Sequence, residues 1–338
     1  MNKNENRYEV NIDAANETKQ QMRSILETQN ARVMNKVGAF ASLYDFSNLP
    51  YKDPILVLKT EEPGSKQLIA AQYDKIENVC YDMINHLIND CIVMGAVPLT
   101  IQDAIICGKL EKNIVTRIVK ALTEACAMQE CVLTGGETSE QPGVIPAGAY
   151  ILTSSIVGVV EKDDIIDGSK IKCGDIVLSL ESSGIHTNGY TLVRKIMKDN
   201  PEIVTEAFID TILEPHRCYY LALKDLFTTN YISGLAHITG GGIRENLNRI
   251  LPSDLDAEID LALYKIPAIF KTLKEYGNIT DAEMLRTFNL GCGLAVVCRE
   301  EYVSHLIEHF TKYLIDCYPI GKIACGNGNV NTINNLNW

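Results

Sequence analysis

The sequence predicts a pair of mixed α/β or α+β domains, and three observations predict it. The chain has 338 residues, which suggests two domains at ~150 residues each. Short β-branched runs alternate along it with segments of helical periodicity. A polar, glycine-containing break, DGSKIKCGD (Asp167 to Asp175), then divides the chain into 1–168 and 169–338.

In order, Ala14 to Gln29 has helical composition, and GAFASLYDF mixes small residues with aromatics as a packing loop does. PILVLKT (Pro54 to Thr60) reads as a strand and ENVCYDMINHLINDCIVMGA (Glu77 to Ala96) as a long helix. PLTIQDAIICGKL follows as a strand, NIVTRIVKALTEACAMQ as an amphipathic helix, and CVLT and AYILTSSIVGVVEK as strands. In the second half IVLSLES, GLAHIT and GCGLAVVC are expected strands. NGYTLVRKIM, HRCYYLALKDLF, GGIRENLNRIL and YVSHLIEHFTKYL are expected helices.

Composition is that of an ordinary globular chain, with 46% hydrophobic and 22% charged residues. The formal charge of -12 argues against a nucleic-acid or anionic-membrane surface, which needs a basic patch. Eleven cysteines, none in a C-x-x-C arrangement, read as reduced core thiols and point to the cytoplasm. The opening MNKNENRYEV has no apolar signal core, and no apolar run is long enough for a membrane span.

Several stretches carry candidate chemistry. On a helical wheel of the long helix, Val79, Met83, Leu87 and Met94 share an apolar face, with Asp90 at its edge and Asp82, Asn85 and Asn89 opposite. A carboxylate beside a buried face needs a partner, either a metal or an ordinary salt bridge. CVLTGGETSEQPG runs from a strand into Gly135 and Gly136, then Glu137, where a tight glycine turn would let the backbone approach a ligand. TEEPGSKQ offers Glu61 for a metal and Lys66 for a phosphate, or simply a turn on Pro63 and Gly64. SSGIHTNGY and HITGGGIREN each lead into a helix, with Thr187 or Asn188 and Thr239 as candidate caps. HLIEH fits an inverted zinc motif, but its periodicity puts both histidines on a polar face. CGNGNVN precedes no helix and fails the dinucleotide pattern, and there is no P-loop.

Taken in this order, the motifs resemble the phosphoribosylformylglycinamidine cyclo-ligase, or aminoimidazole ribonucleotide synthetase, family. The similarity runs from VNIDAAN and GAFASLYDF through NDCIVMGAVP, GGETSEQPG and SSGIHTNGYTLVRK to HITGGGIRENLNRILP and LRTFNLGCGL. The resemblance implies an N-terminal α/β domain that pairs its sheet across a homodimer, and a C-terminal α+β domain. It implies ring closure of formylglycinamidine ribonucleotide with ATP and Mg²⁺. The formyl oxygen attacks the γ-phosphate, and the amidine nitrogen then displaces phosphate from the activated carbon. By position, it makes Asp90 and Glu137 metal ligands, with Glu61 and Asp103 beside them. Lys66, Ser65, Gly135, Gly136 and Thr138 would meet ATP phosphates. Ser183, Asn188, Thr239, Gly240, Gly241 and Gly242 would meet substrate, and His186 and Lys66 would serve catalysis. KTEEPGSK stands where the family has G-T-D-G-V-G-T-K, so Glu61 replaces an aspartate and Glu62 a glycine. Two other readings stand beside this one. One is another ATP-dependent enzyme of the superfamily, against which the long C-terminal match speaks. The other is a nucleotide-binding relative without turnover, motivated by the altered loop.

Overall fold

The computed structural model describes residues 17, 21–22, 24–27, 30–35 and 39–338. The VNIDAAN motif lies outside the described residues, as does much of the expected Ala14 to Gln29 helix. The described positions between 17 and 26 are helical.

The N-terminal half is built on a four-stranded sheet in the order β1-β4-β2-β3. The strands are β1 (Pro54–Glu61), β2 (Val97–Cys107), β3 (Val132–Glu140) and β4 (Tyr150–Glu161). Two helices, Ile76–Ile92 and Lys112–Met128, cover one face. The second helix buries Val115, Ile118, Val119, Leu122, Ala125 and Cys126, the stripe expected at spacings of three and four. Along β2 the buried positions are Ile101, Asp103, Ile105 and Cys107, while Thr100, Gln102, Ala104 and Ile106 face the other way. That other face carries Leu56 and Leu58 of β1 and Ile151 of β4, all well exposed.

The C-terminal half has a six-stranded sheet in the order β10-β7-β9-β5-β8-β6. Its strands are β5 (Ile176–Glu181), β6 (Gly234–His237), β7 (Leu255–Asp260), β8 (Cys292–Cys298), β9 (Cys317–Cys325) and β10 (Val330–Ile333). Strand β8 is buried along its whole length, as a central strand covered on both faces must be. Strands β7 and β10 and the helices Glu206–Ile212, Ala268–Gly277 and Asp281–Thr287 escape the sequence reading. CGNGNVN connects β9 to β10.

Three local expectations are corrected. Gly135 and Gly136 do not turn the chain; β3 continues through GGETSE to Glu140. A bulge opposite Ile101 and Gln102 absorbs the extra residue, with Gly135 at φ +135°. The expected HRCYYLALKDLF helix is helical only from Tyr220, because the residues before it give their backbone to side chains elsewhere. Met94, placed on the apolar face of the long helix, lies beyond its end and is 36% exposed.

The polar side of the long helix is not a solvent face. Asp82 and Asn89 are fully buried, and that side binds an extended strap from Leu213 to Tyr219. Five successive strap carbonyls accept from side chains. Asn78 Nδ2 donates to Leu213 O (2.8 Å), Lys66 Nζ to Glu214 O (2.8 Å), and Ser183 Oγ to Pro215 O (2.6 Å). Asn85 Nδ2 donates to His216 O (2.6 Å) and Asn89 Nδ2 to Arg217 O (2.8 Å). In return the strap donates His216 N–H to Asp82 Oδ1 (2.7 Å) and Tyr219 N–H to Asn89 Oδ1 (3.0 Å). These bonds join the two halves through buried polar groups.

Lys66 and Asp82 form the centre of this seam. The ammonium is 2.9 and 2.8 Å from the two carboxylate oxygens, and neither side chain has any exposure. Burial raises the Asp82 carboxyl and lowers the Lys66 ammonium, each partly restored by the other. Removing one partner leaves a buried charge alone, so Asp82→Ala is expected to cost about 3–5 kcal/mol. The charge-free pair Lys66→Met/Asp82→Leu is expected to cost less than Asp82→Ala alone; urea unfolding of the three proteins checks the order.

Candidate active site

The loop after β1, the loop before the Tyr190–Asp199 helix and the glycine loop after β6 meet beside the C-terminal end of the long helix. Gly64 turns at φ +63°, and a side chain there would stand 3.6 Å from Thr187 O. Thr187 Oγ1 pairs with His86 Nδ1 at 2.9 Å. A side chain at Gly240 would stand 3.2 Å from Asn188 Oδ1. His237, which ends β6, donates Nδ1–H to Asp90 Oδ1 at 2.7 Å.

The two glycine-rich segments reach their helices without side-chain caps. Gly189 (φ 80°) and Gly241 (φ 90°) are the N-cap residues, not Thr187, Asn188 or Thr239. Their left-handed backbone is open to glycine and costly for other residues. Thr239 Oγ1 instead bonds Asn246 Oδ1 at 3.3 Å. The buried Asn246 amide holds the carbonyls of Thr239, Gly240 and Gly242 at 3.3, 3.1 and 2.8 Å. At Gly242 any Cβ would lie 1.9 Å from Leu285 O, so that position has no room for another residue type.

Four of the chain's six histidines gather here. With Nδ1–H of His237 given to the Asp90 carboxylate, its Nε2 accepts from His216 Nε2–H at 2.9 Å. His216 Nδ1 is then a buried lone pair without a partner. His186 stacks on His216 with ring centres 3.7 Å apart and planes 22° apart, and its Nε2 accepts from Ser183 N–H at 3.2 Å. Burial drives His86, His186 and His216 below the usual imidazole range, and neighbouring positive groups push the same way. All three are therefore neutral at physiological pH.

His186, His216 and His237 bring nitrogens within 4.8 Å of one another. Two rings stacked so nearly parallel cannot both aim an in-plane lone pair at one ion, so this trio is not a tetrahedral metal centre. His86, Asp90 and His237 form a second such group, but Lys59 already occupies its side. The ammonium is 2.6 Å from Glu61 Oε1 and 3.2 Å from Asp90 Oδ2. Burial would raise the Asp90 carboxyl, yet His237, His86 and Lys59 together hold it well below the carboxylate range.

The expected metal acids do not form one set. Strand register aligns Glu61 with Ser154, Ser154 with Asp103, and Asp103 with Gly136. These positions share the helix-covered face with Asp90. Glu137 aligns with Ala104 and so lies on the opposite face of the sheet from Asp90. Its Oε1 accepts from Thr138 N–H at 2.8 Å. That opposite face floors a cavity of about 730 Å³, lined among others by Phe40, Ser42, Thr60, Gln102, Gly135 and Glu137. Gly136, Thr138 and the edge of Asp103 also reach it. Ser42 of the GAFASLYDF motif anchors the rim by donating to Thr134 O at 2.6 Å.

Asp103 is the acid whose state most invites a cation. It is 9% exposed, and burial raises its carboxyl to about 7. No basic side chain among the described residues pairs with it. Gly136 leaves it space, since a Cβ there would stand 2.4 Å from Asp103 Oδ1. Lys66, expected at a phosphate, points into the seam instead. Ser65 caps the Lys66–Gln72 helix by position only, with no side-chain bond. Lys59, Asp82, His86, His216 and His237 escape the sequence reading as site residues. The i,i+4 spacing of His86 and Asp90 on one helix face was the available signal. Of the HLIEH residues, Glu308 is exposed and pairs with Lys312, whereas His309 bonds Ala222 O at 2.7 Å.

The buried histidines set a pH dependence. Their folded values lie below the unfolded value of 6.5, so on acidification the unfolded chain takes up protons the folded chain refuses. The histidines' share of stability is expected to fall as pH drops from about 7 toward 5, by up to ~1.4 kcal/mol per pH unit for each such group, against the opposite contribution of the raised Asp82 and Asp103 carboxyls. His216→Gln should flatten that slope, as read by urea midpoints across the range.

Family models and sequence relatives agree on one family. The domain described as AIR synthase related protein, N-terminal domain, matches residues 47–160, and its C-terminal counterpart matches 172–332. A phosphoribosylformylglycinamidine cyclo-ligase of Streptococcus agalactiae serotype III (strain NEM316) is 39% identical over 323 residues, covering 93% of this chain and 94% of the relative. Its namesake in Chromobacterium violaceum is 38% identical over 321 residues, covering 93% of each. Among solved structures, hydrogenase maturation protein HypE in complex with ATP superposes with a TM-score of 0.64 at 14% identity, over 93% of this chain and 88% of that one. That likeness concerns the fold. The full-length match across both halves is what assigns the chain: it belongs to the phosphoribosylformylglycinamidine cyclo-ligase family.

Proposed function

We propose that the chain carries out the reaction for which its family is named. Formylglycinamidine ribonucleotide is closed to 5-aminoimidazole ribonucleotide with ATP consumed and ADP and phosphate released, a step of purine biosynthesis. The observation that carries this reading is the 38–39% identity sustained over 93% of the chain, both domains included. The HypE structure, solved with ATP, supports a nucleotide site on this fold. We take the domain boundary to fall at 168/169, between the two matched regions.

In this reading, ATP phosphates lie near Gly135, Gly136 and Thr138, at the cavity over the open face. The substrate lies toward Ser183, Asn188 and the Thr239–Gly242 loop. The left-handed N-caps Gly189 and Gly241 leave backbone N–H groups uncapped by side chains, available to phosphate or ribonucleotide oxygens. Asp103, a buried carboxyl with no basic partner among the described residues, fits Mg²⁺, with Glu137 the acid on the cavity side and Glu61 and Asp90 held by Lys59. Magnesium held there would offset the charge of the nucleotide phosphates during transfer. Ring closure is intramolecular, so the chain's task in that step is to orient the substrate and exclude water. His186, buried and neutral, holds the Ser183 backbone and gives its own carbonyl to Lys66 at 3.1 Å. We assign it a positioning role.

The open sheet face supports a homodimer. Leu56 (52% exposed), Leu58 (68%) and Ile151 (38%) make it apolar, and an uncovered face of this kind is an association surface. Eleven free thiols, most of them buried, suit a reducing compartment, and we infer the cytoplasm. No helix among the described residues is long and apolar enough to cross a membrane.

Incubation with formylglycinamidine ribonucleotide, ATP and Mg²⁺ should yield the aminoimidazole product. Nucleotide binding without product would instead favour a relative that has lost turnover. His186→Gln is expected to lower kcat without moving the pH profile; a shifted acid or base limb would make His186 a proton carrier. Leu58→Glu is expected to turn the dimer into monomer by light scattering, and an unchanged mass would reject this face as the interface.

A further inference from the structure

Lys59 stands on β1 two residues before Glu61, so both side chains leave the same face of the strand. Asp90 comes from the last turn of the long helix. The Lys59 ammonium lies between the two acids, 2.6 Å from Glu61 and 3.2 Å from Asp90. The other Asp90 oxygen takes the His237 N–H, and His86 Nε2 stands 3.7 Å from Oδ2. Side-chain exposures of 38% for Lys59, 24% for Glu61 and 19% for Asp90 put the contact at the site's edge, partly withdrawn from water. Burial would lower the ammonium, but Glu61 and Asp90 more than reverse this and keep it charged. Glu61 and Asp90 would repel one another in its absence, and two such carboxylates are a hard-cation site.

We infer that Lys59 is a tethered cation, filling the place between Glu61 and Asp90 where a divalent metal ion would otherwise bind. It thereby sets how many metal ions the site accepts. The inference rests on the reading of these acids as the metal-facing side of the active site. With Lys59 in place, the pair is neutralised from within the chain. A metal accompanying the nucleotide is then left to Asp103 and to the acids on the cavity side. The ammonium also ties β1 to the helix end without an exchangeable ligand, so this corner stays ordered whether or not metal is present.

Manganese without nucleotide tests the idea independently of turnover. Free Mn²⁺ is followed by electron paramagnetic resonance during titration of wild type, Glu61→Gln, Lys59→Met, Lys59→Gln and Lys59→Met/Glu61→Gln. Both single variants are expected to bind Mn²⁺ at least about tenfold more tightly at one added site, the repulsion of a nearby unit charge being removed. The double variant should lose that gain, because one of the two carboxylates is gone. Equal Mn²⁺ binding by wild type and whichever folded single variant is obtained overturns the inference. So does a wild-type Mn²⁺ site that disappears in Glu61→Gln alone. Product formation by wild type, measured in parallel, tests the functional reading separately: absent turnover with a retained Mn²⁺ gain rejects that reading and leaves the role of Lys59 standing.

Discussion

The structure depends on one arrangement: a helix uses its polar side to hold the bare backbone of a distant strap. A run of carbonyls without secondary structure would be ruinous inside a protein. Here each from Leu213 to Arg217 meets its own donor, four on the N-terminal half and Ser183 on the other. The cost of burying Lys66 and Asp82 is offset by their mutual attraction and by the backbone groups each also engages. The result is a seam that fixes the position of one domain on the other.

The site inherits its geometry from that seam. Because the strap passes over the helix, His216 is set beneath His186 and against His237. That in turn brings Asp90 from the first domain into contact with His237, at the end of β6 in the second. His86, His186 and His216 are buried and neutral above the Lys66–Asp82 pair, while Lys59, Glu61 and Asp90 meet at the partly exposed edge of the site. Phosphoryl chemistry benefits from such a division, since fixed charges act most strongly where water is excluded.

Much of this was legible in the sequence, and the failures have physical causes. Strands such as PILVLKT and GCGLAVVC declare themselves by β-branched content, and the Lys112–Met128 helix by its periodic stripe. The polar side of the long helix misled because Asp82, Asn85 and Asn89 look like a water-facing stripe. Only tertiary contact shows that their partners are backbone carbonyls. GGETSE seemed to end a strand because glycine pairs usually do, whereas here a bulge lets pairing continue. The parity of that bulge decides that Glu137 faces away from Asp90, and no local pattern reveals parity. The place of Lys66 in its motif predicts a phosphate ligand. Its burial depends on Asp82, sixteen residues away along the chain.

The seam also divides its residues into two kinds for the purpose of sequence drift. What the helix grips in the strap is main chain, which every amino acid supplies alike. The side chains of Glu214 and Arg217 are thus free to change without loosening the junction, provided the extended path is kept. Asn89 has no such freedom, since its carboxamide donates to Arg217 O and accepts from Tyr219 N–H at once, and Asn78 and Asn85 must each keep a donor of the same reach. Variation tolerated on one partner and forbidden on the other is the mark such a junction leaves on its descendants.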